Sequence, residues 1–160
     1  MIVKGIIDED FVNYKEASMT IEFPRCTFKC DIERGERVCQ NGALASSPDI
    51  EIGIDKIVKR YINNPITNAI VFQGLEPFDS FEDVYELVSA FREVTSDDIV
   101  IYTGFIESEI MNYIKALEKY ENIIIKFGRY IPGNKPHYDK VLGVNLASDN
   151  QYARKIWTKK

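Results

Sequence analysis

The sequence predicts an α/β fold with mostly parallel strands, arranged as a partial, open (β/α) barrel. Two observations predict it. Short apolar runs rich in Val and Ile, such as Ala69 to Phe72 and Ile123 to Ile125, alternate with stretches of helical period. Strands separated by helices form β-α units whose right-handed crossovers leave the strands parallel. The residues least suited to plain connections also follow the strands, where such folds collect ligands. Four strands supplying one rim are too few for a closed eight-stranded barrel and enough for an open one.

Each element has its own signal. An opening strand is expected over Ile2 to Ile7 and a second over Met19 to Phe23, ended by Pro24. Ile54, Ile57, Val58, Tyr61 and Ile62 repeat at three and four residues and line one helix face, which Asn63-Asn64-Pro65 stops. Ala69 to Phe72 reads as a buried strand running into Gln73-Gly74-Leu75-Glu76-Pro77. Ser80 with Asp83 resembles a capping box opening a helix with Phe81, Val84, Val88 and Phe91 inward. Asp98 to Tyr102 is the next strand, ending at Thr103-Gly104; Ile106, Ile110, Ile114 and Leu117 mark another helix. Ile123 to Ile125 follows as a strand, with Lys126 to Arg129 beyond it, and Val141 to Leu146 is expected to be the last.

Composition bounds the class. A chain of 160 residues, 45% hydrophobic and 12% aromatic, suffices for one domain with a core, taken as residues 1–160. Its net charge of −5, with scattered Lys and Arg, argues against a nucleic-acid partner. The start, Met-Ile-Val-Lys-Gly, has no signal-peptide core, and no apolar run approaches the ~18 residues of a membrane span. An odd cysteine count argues against a disulfide framework, so a reducing cytoplasm is expected.

All three cysteines, Cys26, Cys30 and Cys39, fall in one window after a strand, within a loop taken as residues 24–47. Thiols are soft ligands that suit an iron-sulfur cluster or zinc. Three thiolates leave one iron of a 4Fe-4S cubane open to a small molecule, whereas structural zinc normally takes four protein ligands. His137 is the only histidine and is expected in a surface loop. On the residues alone a structural zinc site and buried thiols stay open beside the cluster.

Several pieces, in order, resemble the radical S-adenosylmethionine (SAM) family, and within it the activators of anaerobic ribonucleoside-triphosphate reductase. They are the cysteine loop followed by Gln40-Asn41, the Gly74-Leu75-Glu76-Pro77 turn, Ile101-Tyr102-Thr103-Gly104-Phe105, and Leu146-Ala147-Ser148-Asp149-Asn150-Gln151. The resemblance covers nearly the whole chain. It implies a radical SAM-type barrel, with Cys26, Cys30 and Cys39 on a 4Fe-4S cluster whose fourth iron takes SAM. It further implies reductive cleavage of SAM to a 5′-deoxyadenosyl radical and a glycyl radical raised on the large reductase subunit, with flavodoxin or ferredoxin as electron donor. Gly74, Leu75 and Glu76 would bind the SAM amino group, and Thr103, Lys126 and Asn150 would contact its ribose or carboxylate.

Two departures from that family are plain. The usual Cys-x3-Cys-x2-Cys becomes Cys-x3-Cys-x8-Cys, with Asp31 where an aromatic residue normally follows the second cysteine. The charged insert, Asp31 to Val38 with Gly35 at its middle, is expected to loop into solvent while the cysteines converge, because closure entropy grows slowly with length. Phe28 or Tyr102 would then supply the adenine contact. Leu75 splits the usual Gly-Gly-Glu-Pro. Two other functions compete with the activator: a radical SAM enzyme with another substrate, and a non-enzymatic zinc or iron-sulfur interaction module.

Overall fold

A computed structural model describes residues 1–157. The amino-terminal strands are β1 (Ile2–Val3), β2 (Gly5–Asp10) and β3 (Ser18–Phe23), followed by the short helices α1 (Lys29–Arg34) and α2 (Gly42–Ala45) and by β4 (Ile50–Glu51). Helix α3 (Ile54–Ile62), β5 (Ala69–Gly74), α4 (Phe81–Arg92), β6 (Asp98–Tyr102), α5 (Met111–Leu117) and β7 (Ile123–Phe127) supply the alternating heart of the fold. The chain closes with β8 (His137–Asp139), β9 (Val144–Leu146) and β10 (Tyr152–Ile156).

The main sheet has six strands in the order β10-β7-β6-β5-β3-β2. Its four central strands, β3, β5, β6 and β7, are parallel. An antiparallel strand borders each side, with a bulge in β2 between Ile7 and Asp10. The result is an open, mostly parallel α/β sheet.

Period-two alternation sends side chains to two faces. Met19, Ile21, Phe23, Ile70, Phe72, Ile99, Ile101, Ile123 and Ile125 join one core with Ile57 and Tyr61 of α3, Leu87 and Phe91 of α4, and Ile114 and Leu117 of α5. Phe91 anchors this layer edge-on to Tyr61, ring centroids 5.5 Å apart, and beside Phe72 at 6.4 Å. Burial of each such side chain contributes about 1.5–3 kcal/mol. On the opposite face Ala69, Val71, Val100 and Ile124 meet Tyr14, Leu142, Leu146 and Ala153. Helices therefore cover one face, and loops with the β8-β9 hairpin cover the other.

Several expectations are corrected. The opening strand breaks at Lys4 into β1, which pairs with β4, and β2, which pairs with β3. Ile106 is half exposed and precedes a 3-10 turn at Glu107–Glu109, so the helix begins only at Met111. The strand expected over 141–146 is only Val144–Leu146; Val141 and Leu142 turn back over Asp139, whose Oδ1 accepts both their N–H groups at 2.9 Å. The last strand of the main sheet is β10, whose Tyr-Ala-Arg-Lys-Ile pattern is too charged to read as buried. His137 begins β8 and its Nε2 lies 2.6 Å from the Gln151 carbonyl oxygen.

Ser80 does not cap α4 through its side chain. The chain enters that helix through a 3-10 turn, Pro77–Ser80, and Glu76 caps the turn by accepting from Phe78 N. The Ser80 Oγ is buried with no hydrogen-bond partner among the described residues. Ser80→Ala is therefore expected to leave stability within about 0.5 kcal/mol of wild type or to raise it, where loss of a true cap costs about 1 kcal/mol. Urea denaturation of the two proteins measures the difference.

Candidate functional site

The carboxyl ends of β3, β5, β6 and β7 border one cavity of about 480 Å³. Its form begins with the turn after β5. Gly74 has φ +99, and a Cβ there would stand 2.8 Å from Phe23 N and 2.9 Å from Glu22 Cα. Only glycine allows that approach. The turn then runs beside the chain entering the cysteine loop: Leu75 N donates to Phe23 O at 3.3 Å and Glu76 N to Arg25 O at 2.8 Å.

The cysteine loop is fixed in steps. Phe28 N donates to Cys26 Sγ at 3.1 Å, and Phe28 itself takes a left-handed conformation, φ 52, that turns the chain into α1. Cys30 sits in the first turn of α1, and Gly35, φ 68, ends the helix. Asp31 Oδ1 accepts from both Val38 N and Cys39 N at 2.8 Å, which brings Cys39 near enough to Cys30 for its thiol to help raise that of Cys30, after burial as the main cause. Thr27 N donates to Asp79 Oδ2 at 2.7 Å, and Asn41 Nδ2 donates to Gly74 O at 2.8 Å.

As expected of residues 31–38, the insert reaches into solvent, with Ile32 to Arg37 exposed and only its ends, Asp31 and Val38, partly covered; what the expectation did not include is its order. Half of it is helix, docked on the rim through Lys29 to Glu109 at 3.4 Å, Glu33 to Arg129 at 3.4 Å and Arg34 to Pro132 O at 3.4 Å. Arg129 also pairs with Glu109 at 2.7 Å and holds that carboxyl down at about 2.

Cys26, Cys30, Cys39, Gly74, Leu75, Glu76, Thr103 and Lys126 all line the cavity. Asn150 is not among its lining residues; its Nδ2 donates to Arg129 O at 2.8 Å, and neighbouring Gln151 faces the cavity instead. Of the two aromatic residues offered for adenine, Tyr102 lines the cavity and Phe28 does not. The structure adds Glu22, Gln73, Asn13 and Asn41. Glu22 is in register with Gln73, and Tyr102 with Lys126, so a polar row crosses the strand ends. Their shared parity was the available signal: each is polar at the end of an apolar strand.

Glu76 is 5% exposed and fully engaged, accepting from Thr103 Oγ1 at 2.8 Å, Gly104 N at 2.9 Å and Phe78 N at 3.1 Å. Burial outweighs those donors and raises its carboxyl to about 7. Its role in the structure is to tie the ends of β5 and β6 together. Lys126, 7% exposed, donates to Gly128 O at 3.0 Å; burial lowers its ammonium to about 8, and nearby Glu76 opposes the shift. Burial likewise raises the Cys26 thiol to about 11, with Glu76 and Asp79 adding to the shift.

A raised carboxyl gives stability that is full below the unfolded value of 4.5 and is lost as pH rises to about 7. Wild-type protein without cofactor is therefore expected to lose on the order of 2–3 kcal/mol across that window relative to Glu76→Gln, which cannot ionise. Melting curves of both proteins at pH ~5 and ~7.5 measure the difference of differences. Equal pH responses would refute the buried-carboxyl account.

The donors suit an iron-sulfur group: three soft thiols beside a cavity within the range that holds a small molecule. Among the described residues no three His, Cys, Asp or Glu side chains are grouped as for a metal ion. This does not weigh against a cubane, which takes each thiolate on a different iron and so spaces its ligands more widely than a single ion does. No helix among the described residues is long and apolar enough to cross a membrane.

No curated protein matches the chain. The 4Fe-4S single cluster domain family, an iron-sulfur family associated with radical SAM proteins, matches residues 19–151, from the second residue of β3 to the residue just before β10. That match spans the cysteine loop and all four strand ends of the rim, and the chain therefore belongs to the 4Fe-4S single cluster domain family.

Proposed function

We propose that this protein is a radical SAM enzyme that reductively cleaves SAM and raises a glycyl radical on an anaerobic ribonucleoside-triphosphate reductase. The observation that carries the reading is the meeting of three cysteines with the Gly74-Leu75-Glu76 turn at one cavity on the carboxyl rim of a parallel sheet. Cys26, Cys30 and Cys39 would hold a 4Fe-4S cluster. When bound, the cluster would pass one electron from the flavodoxin or ferredoxin donor to SAM, which would part into methionine and a 5′-deoxyadenosyl radical able to take hydrogen from the partner's glycine and leave as 5′-deoxyadenosine.

The protein's part is position and charge. The turn after β5 brings backbone atoms close to the cavity, where a carbonyl can accept from the amino group of SAM. Lys126 is desolvated yet still mostly cationic at neutral pH, which suits a carboxylate, and Thr103 offers a hydroxyl that already bridges to Glu76. Asn150 would act by holding the Arg129 carbonyl at the rim. The reductase, a flavodoxin or ferredoxin as electron donor, and a cytoplasmic setting complete the proposal.

A radical SAM enzyme with another substrate is the second reading, favoured by the docked helix α1, which gives the rim a form different from the short family loop. Anaerobic reconstitution with iron and sulfide, reduction with SAM, and an assay for 5′-deoxyadenosine test both readings. Product without radical transfer to the reductase would select the second. A protein that takes up only zinc and leaves SAM intact would overturn both.

A further inference from the structure

The second and third cysteines are separated by eight residues, and α1 carries the chain away from Cys30 at about 1.5 Å per residue before any return begins. Gly35, in the left-handed conformation, reverses the direction, and the residues from Glu33 to Arg37 are exposed. The returning segment belongs to no strand or helix. What receives it is one carboxylate oxygen: Asp31 Oδ1 takes the N–H of Val38 and that of Cys39, each at 2.8 Å, and lies 3.8 Å from Cys30 Sγ. Asp31 is itself fixed, because its own N–H donates to Phe28 O at 3.0 Å and its helix is docked through Lys29 and Glu33.

We infer that Asp31 is a positioning residue whose carboxylate clamps the returning segment and sets Cys39 beside Cys30, so that a long insert still presents a paired set of thiols. The inference deepens the cluster reading and assigns a purpose to the substitution of an acidic residue for the usual aromatic one. The clamp works by geometry. One acceptor facing two successive N–H groups fixes both the position and the direction of residue 39, and a neutral acceptor of the same shape serves as well. A loop pinned at this point loses the conformational freedom that would otherwise dilute one thiol as seen by the other.

The test uses the cluster-free full chain and a mild thiol oxidant, diamide, with the disulfides formed mapped by peptide mass spectrometry. Wild type should form the Cys30–Cys39 disulfide in preference to either pairing with Cys26. Asp31→Ala should slow that pairing roughly fivefold or more, while Asp31→Asn, whose amide oxygen can accept from both N–H groups, should stay within about twofold of wild type. Melting curves check that the variants fold, as expected for a half-exposed residue outside the core. A measurement on wild type alone guards the inference against a misfolded variant: the Val38 and Cys39 amides should exchange with deuterium more slowly than those of Glu36 and Arg37. Pairing in Asp31→Ala as fast as in wild type, loss of pairing in Asp31→Asn, or unprotected Val38 and Cys39 amides would each overturn the clamp. Iron and sulfide loading of wild type is scored separately, so a protein that pairs its thiols as expected and binds no iron sinks the cluster reading and leaves the clamp standing.

Discussion

Cys39→Ala is expected to abolish SAM cleavage and to strip the protein of most of its iron and labile sulfide, while the apo protein melts near the wild-type temperature. The loss should be this complete because three thiolates are the whole of the proposed ligand set, and a cubane held by two has no third soft donor in the loop to replace the missing one. The fold should survive because Cys39 sits in a segment outside the sheet and contributes nothing to either core cluster. The informative result is therefore a split: iron, sulfide and 5′-deoxyadenosine fall together while far-ultraviolet circular dichroism stays unchanged. Full SAM cleavage in the variant would sink the assignment of Cys39 as a ligand.

Gly74→Ala is expected to destabilise the chain by about 2–3 kcal/mol, at the upper end of ordinary single substitutions. Two strains add. The residue holds φ +99, which L side chains rarely adopt, and the new Cβ would stand 2.8 Å from Phe23 N, a backbone atom in the neighbouring parallel strand. A flexible side chain could swing away, but a strand in the middle of the sheet cannot. Relief by separating β3 from the turn would loosen the Leu75 N to Phe23 O and Glu76 N to Arg25 O bonds that register the cysteine loop. A melting temperature lowered by roughly 5–10 °C, with cluster loading reduced as well, is the expected outcome. A variant as stable as wild type would show that the turn can relax without its neighbours.

The parallel core was legible because its strands are short apolar runs, and the helices packed on them repeat at three and four residues; Ile70, Phe72, Ile99 and Ile101 needed no further context. The bordering strand β10 was not, since Arg154 and Lys155 hide an edge strand whose pairing is decided by tertiary contact with β7. Helix α1 was missed for a related reason. It is six residues long, buries none of them, and rests on ion pairs with Glu109 and Arg129, which are distant in sequence. The thiol set was readable from spacing and residue type. Its partners in the polar row, Glu22 and Gln73, show singly only as polar residues ending apolar strands, and strand register is what puts them side by side.

An open sheet has two edges, and those of this one bear opposite charge: Asp8, Glu9 and Asp10 on β2, Arg154 and Lys155 on β10. Left free, they would invite a second molecule to join edge to edge and extend the sheet indefinitely, the route by which exposed strands aggregate. The charges are matched at home instead. Arg60 pairs with Asp8, Arg154 with Glu107 at 2.6 Å and Lys155 with Asp98 at 3.4 Å, while the β2 bulge interrupts the regular backbone pattern that a visiting strand would need. Neutralisation within the chain thus removes the charge complementarity between the two borders, and stripping Arg60 and Glu107 of their charges together would expose complementary edges to one another.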